Sequence, residues 1–183
     1  NLASTSLELG GKSPFIVFED ADLESAVNAQ ISGIFAATGQ SCVAGSRLVI
    51  SRKIKEAFLD RLKSKAEEIV IGAPDEMATE VGPLCTEQQR TRAVELIASS
   101  EAVGARVVTG GKPLDRQGIY FPPTIVDCSD APKAPCLCTE FFGPVLSVVT
   151  FDTEAEAMEL ANDTAIGLAS GVVTRDLPRA RRM

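Results

Sequence analysis

Phe35-Ala36-Ala37-Thr38-Gly39-Gln40-Ser41-Cys42-Val43-Ala44-Gly45-Ser46-Arg47 is the stretch on which the fold turns. Upstream of it, Leu23, Ala26, Val27, Ile31, Ile34 and Phe35 recur at spacings of three and four, which places them on one face of a helix. Gly39 is the predicted stop of that helix, and Leu48-Val49-Ile50 predicts a strand beyond it. Cys42 therefore lies among small residues at the boundary between a helix and a strand, where a ligand can reach a thiol.

The same alternation extends in both directions. Before the helix, Pro14 to Phe18 is a short apolar run that predicts a buried strand, and Glu19-Asp20-Ala21-Asp22 supplies acids suited to a helix start. After Ile50, the residues Ile54, Phe58, Leu62, Ala66 and Ile69 mark a second amphipathic helix that Gly72 and Pro74 end. Residues 73–83 have turn chemistry and no period, so they predict a surface loop. Thr86-Glu87-Gln88-Gln89 fits a capping box that opens a helix to about Ser100, and Arg106-Val107-Val108 predicts a strand. Gly110 to Pro113 is a turn.

Tyr120 to Val126 is extended but carries Pro122-Pro123, which favours an edge strand or an irregular extension. Val145 to Phe151 is a further strand, Thr153 to Glu156 a second capping box whose helix stops near Asn162-Asp163, and Leu168 to Thr174 the last strand. Asp176-Leu177-Pro178 starts a helix, but Arg179 to Met183 are too few for a stable isolated one. Strands alternating with helices predict an α/β fold: three layers, with a mostly parallel sheet between helices on both faces. Length gives one domain over residues 1–183, and both ends fall in mid-element, so the expectation is a fragment of a longer polypeptide.

Composition narrows the chemistry. A net charge of −7 argues against a nucleic-acid track or an anionic membrane surface as partner. No apolar run is long enough to span a bilayer and no signal-like segment opens the chain, so a cytoplasmic location is expected. Five cysteines, an odd number, fit a reducing compartment better than a disulfide framework. The absence of histidine excludes a Ser-His-Asp triad, a Cys-His pair and any histidine-bearing metal site within these residues. Proton transfer must then fall to a carboxylate, lysine, tyrosine or water.

Glu8 lies in Leu7-Glu8-Leu9-Gly10-Gly11-Lys12-Ser13-Pro14, where flanking leucines are expected to desolvate it partly and raise its basicity. Gly11-Lys12-Ser13 imitates a phosphate loop, but Ser6 stands where its first glycine belongs and Pro14 opens a strand instead of the required helix. Cys128, Cys136 and Cys138 invite a metal reading that fails for want of a second Cys-x-x-Cys or a histidine, so no metal is expected.

Four ordered segments carry a resemblance. Phe35-x-x-x-Gly39-Gln40-x-Cys42, Leu7-Glu8-Leu9-Gly10-Gly11-Lys12, Glu140-Phe141-Phe142-Gly143-Pro144-Val145, and Asn162-Asp163-Thr164 with Gly167-Leu168 together resemble the NAD(P)-dependent aldehyde dehydrogenase family. The resemblance implies Cys42 as the nucleophile that attacks an aldehyde, and Glu8 as the base that activates water to release a carboxylic acid. It implies Glu140, Phe142 and Gln89 on the side of a bound NAD or NADP. Phe141 and Thr139 depart from the residues common at their positions without touching those contacts.

The resemblance further implies that residues 1–183 are the cysteine-bearing catalytic domain. A preceding cofactor-binding domain, which also carries an oxyanion-hole asparagine, and a following oligomerisation segment of a homodimer or homotetramer lie outside them. Two other readings stand beside it: a structural or oligomer-forming module with an inert thiol, and a CoA-acylating relative. The family pattern of the latter lacks a glutamate at the Glu8 position.

Overall fold

The computed structural model describes residues 2–183. Six strands form one sheet: β1 Pro14–Val17, β2 Arg47–Ser51, β3 Arg106–Thr109, β4 Thr124–Asp127, β5 Val145–Phe151 and β6 Gly171–Val173. Their spatial order is β3-β4-β5-β2-β1-β6, and every pair is parallel except β3 with β4. The central strands β2 and β5 are buried along their whole length, as a parallel sheet covered on both faces requires.

Alternation along each strand divides the core in two. Val17, Leu48, Ile50, Ile125, Leu146 and Val148 pack against α1 Leu23–Phe35 and α2 Lys55–Glu68. Ile16, Val49, Val126 and Val149 belong to the other cluster, with Ala93 and Ile97 of α3 Glu87–Glu101 and Ala157 of α4 Glu154–Asn162. The three-layer α/β sandwich expected from the sequence is the observed architecture. No helix among the described residues is long and apolar enough to cross a membrane.

Local signals fix the helix starts. Asp22 caps α1 by accepting the Ser25 N–H at 2.9 Å, and both predicted capping boxes form, Thr86 with Gln89 and Thr153 with Glu156. The helix ends and edges depart from expectation in four places. The helix expected to run to Gly39 ends at Phe35, and residues 36–39 form a tight 3-10 turn in which Ala37 and Thr38 adopt left-handed φ of 50° and 59°. The strand after Pro122-Pro123 is not an edge: β4 lies between β3 and β5, because the prolines precede it and leave its ladder donors intact.

β6 is confined to Gly171–Val173, since Ala169 spends its N–H on the Ser13 hydroxyl and the preceding residues wrap around Lys12, whose N–H is accepted by the Ile166 carbonyl at 2.8 Å. A terminal helix α5 forms over Leu177–Arg182 despite its length. Tertiary contacts hold it: Arg179 pairs with Asp20 and Glu154, Arg182 with Glu154, and the Arg179 guanidinium stacks 4.4 Å above the Phe18 ring.

Candidate active site

Cys42 is half-buried in the connection between α1 and β2. That connection is fixed from several sides. The Ala44 N–H donates to the Ser41 carbonyl, the Gly45 N–H to the Gly33 carbonyl of α1, and the buried Gln30 side chain donates to the Gly45 carbonyl at 2.8 Å. Below it, the buried Arg47 guanidinium donates to the carbonyls of Leu160, Ala161 and Asp163, closing the C-terminal end of α4. The nucleophile candidate thus lies in a connection that leads into β2, a strand buried along its whole length.

The Gly10-Gly11 pair brings the separate motifs together. A Cβ on Gly11 would lie 3.1 Å from the Cys42 carbonyl oxygen, and one on Gly10 would lie 2.2 Å from Glu140 Oε2. The Gly11 N–H itself donates to Glu140 Oε1 at 3.1 Å. A larger residue at Gly10 would displace the Glu140 carboxylate, and one at Gly11 would press on Leu168 Cβ at 2.8 Å as well as on the Cys42 backbone. Glu8 stands two residues before this wedge. Contrary to expectation it is exposed, with Leu7 and Leu9 also exposed at 71% and 59%. Residues 2–13 form no strand, so the flanking leucines have no layer to pack into and do not desolvate the carboxyl.

On the other side, Phe142 presents an exposed ring from a left-handed backbone with φ of 52°. Its carbonyl accepts from Gln89 Nε2 at 3.2 Å. Gln89 Nε2 also donates to Gln40 Oε1, and Gln89 Oε1 accepts the Thr86 N–H, so protein partners occupy both ends of its amide. Gln89 contributes to the site through Gln40 and Phe142.

Three residues that the sequence reading left without a role shape this region: Gln40, Arg47 and Lys12. Lys12 is fully buried with no carboxylate partner; its Nζ donates to Ser147 Oγ at 3.3 Å and lies 4.7 Å from the centre of the Phe141 ring. Burial lowers its pKa to about 8, and the nearby Arg47 charge adds to that shift. The visible signal was a cation placed between a diglycine and a buried strand.

Cys128 and Cys136 are buried, whereas Cys138 is exposed. Hydrogen bonding to Cys136, together with burial, pushes the Cys128 thiol up, and the same contact holds Cys136 down with help from Ser100. Among the described residues no group of three or more side chains is placed to hold a metal ion.

A mostly parallel, doubly covered sheet brings a cysteine turn, a glutamate-diglycine segment and a Glu-Phe-Phe-Gly-Pro loop to one rim. The chain belongs to the aldehyde dehydrogenase family, whose family model matches residues 1–183. It is 59% identical over its full length to (Z)-2-((N-methylformamido)methylene)-5-hydroxybutyrolactone dehydrogenase of Acinetobacter baylyi, and 47% identical to betaine aldehyde dehydrogenase of Sinorhizobium fredii. It spans 38% of the length of each of these relatives. Among solved structures, PnpE in complex with nicotinamide adenine dinucleotide matches 96% of the chain and 36% of its own, with a TM-score of 0.91 and 41% identity.

Proposed function

We propose that this chain is the catalytic, cysteine-bearing segment of an aldehyde dehydrogenase that oxidises an aldehyde to a carboxylic acid. The observation that carries the reading is the diglycine wedge, which sets the Glu8 segment and the Glu140 carboxylate against the Cys42 backbone. In this mechanism the Cys42 thiolate adds to the aldehyde carbonyl, forming a carbon–sulfur bond and an alkoxide that the Cys42 N–H helps to stabilise. When bound, NAD or NADP would supply the hydride acceptor for oxidation at this carbon. Glu8, open to solvent, takes a proton from water as the water attacks the thioester, which releases the acid and returns the thiolate.

The residues present fit a nicotinamide cofactor. Glu140 offers a half-buried carboxylate held in place by one backbone N–H, and Phe142 offers an exposed aromatic face beside it. The remainder of the cofactor site and the oligomer contacts we assign to a preceding domain and a following segment of a cytoplasmic homodimer or homotetramer; the relatives, of which this chain spans 38%, are long enough to hold both.

Glu8→Gln separates the two half-reactions. With a p-nitrophenyl ester and the 183-residue chain, the acylation burst is expected to survive while acyl-enzyme hydrolysis slows by about 100-fold, the scale of a lost general base. Unchanged hydrolysis contradicts the role given to Glu8.

A further inference from the structure

Unusual backbone is concentrated at one point of this molecule. The described non-glycine residues with positive φ are Ala37, Thr38 and Phe142. The first two precede the Cys42 turn and the third belongs to the Glu140–Phe142 loop, yet they meet in space. Gly39, also left-handed at 67°, approaches the second loop so closely that a Cβ would lie 2.3 Å from the Gly143 carbonyl oxygen. Left-handed conformations of this kind are strained for non-glycine residues and persist only where surrounding contacts over-determine them.

Most of the side-chain hydrogen bonds that hold this one run through Gln40. Gln40 Oε1 accepts the Cys85 N–H at 2.9 Å and Gln89 Nε2 at 3.3 Å, and Gln40 Nε2 donates to the Pro83 carbonyl at 3.4 Å. Gln89 Nε2 is shared with the Phe142 carbonyl at 3.2 Å. One residue earlier in the turn, the Gly39 backbone is pressed on Gly143, and Thr38 Oγ1 donates to the Gly82 carbonyl. Two residues after Gln40 comes Cys42. The amide of Gln40 thus ties the cysteine turn to residues 82–89, and the amide of Gln89 passes that tie to the loop bearing Glu140 and Phe142.

We propose that Gln40 is a positioning residue for Cys42, registering the nucleophile turn against the Glu140–Phe142 loop through Gln89. The inference rests on the acyl-transfer reading of Cys42. Attack on a carbonyl demands both a reachable sulfur and a backbone N–H aimed at the developing oxyanion, whereas alkylation demands only the sulfur. Misplacement of the turn by a fraction of an ångström penalises the first reaction selectively.

The test uses the 183-residue chain and compares, at Cys42, the rate of acylation by p-nitrophenyl acetate with the rate of alkylation by iodoacetamide, each mapped to its peptide. Gln40→Met keeps the side-chain length and removes all three hydrogen bonds. The ratio of acylation to alkylation is expected to fall about tenfold, with alkylation within twofold of wild type. Gln40→Glu keeps both acceptor contacts and is expected to restore at least half of the ratio.

Should Gln40→Met fail to fold, seen as alkylation spread over all five cysteines, Gln89→Met cuts the same tie from its far end and is expected to lower the ratio in the same direction. A ratio unchanged in the folded variants overturns the inference and leaves the acyl-transfer reading standing. No acylation at Cys42 in the wild-type chain overturns that reading and the inference with it.

Discussion

Two surroundings hold the same functional group in opposite ways. Cys42 is half-buried in a turn of left-handed residues, bordered by backbone amides, glycines and two interlocked glutamines. Cys128 and Cys136 lie deep under α3, bonded to each other's neighbourhood, with Cys136 Sγ donating to Ser100 Oγ at 2.8 Å and Lys12 close by. The buried pair has the charged neighbour that a reactive thiol is said to need, but no route for a substrate. The turn lies beside the diglycine that holds the Glu140 carboxylate, and it is open on one side. Access from solvent, more than a neighbouring cation, distinguishes the cysteine turn from the buried pair in this fold.

The most severe way to break the comparison is Cys42→Ala, which should remove acyl-enzyme formation by at least about 1,000-fold in ester turnover while thermal unfolding stays near wild type. If Cys128 or Cys136 then carries the acyl group, the contrast between the two sites is wrong. Next comes Gly39→Ala. Its Cβ would meet the Gly143 backbone and its φ is 67°, so a loss of about 2–4 kcal/mol in denaturant unfolding is expected, together with weakened acylation.

Lys12→Met sharpens the buried side of the comparison. The folded pKa of about 8 lies below the unfolded value of 10.5, so between these pH values the unfolded chain binds the extra proton and wild-type stability rises with pH. Below pH 8 the buried ammonium costs up to about 3 kcal/mol, which Lys12→Met relieves, and the difference between the two proteins should vanish above about pH 10.5. Urea unfolding at pH 7 and at pH 10.5 checks the sign. The smallest effect belongs to Cys136→Ala, whose acylation rate should stay within about twofold of wild type, since the thiol it removes faces only the interior.

The framework was legible because it rests on local rules. Leu23 to Phe35 declared a helix by period, Thr86 with Gln89 and Thr153 with Glu156 declared helix starts by capping chemistry, and the uninterrupted apolar run of β5 declared a strand buried on both faces. Quantities that depend on distant partners were not. The extent of α1 is set by Gly39 meeting Gly143, more than a hundred residues away, so the glycine stop was placed one turn late.

The flanking leucines predicted shelter for Glu8, but a sequence cannot show whether a layer exists for leucines to pack into, and here Leu7 and Leu9 face outward. Lys12 read as a failed phosphate loop because its partners, Ser147 and Phe141, come from the far half of the chain. Gln40 stood only as one letter of the cysteine motif, because its partners Pro83, Cys85 and Gln89 come from a loop and helix start that the sequence does not place beside it.

The measurement closest to the central claim is acylation of the wild-type chain by p-nitrophenyl acetate at limiting reagent, followed by peptide mapping of all five cysteines. The account predicts one acyl group per chain, carried on Cys42. Label shared among the cysteines, or found on the exposed Cys85 and Cys138 in preference to Cys42, would contradict it.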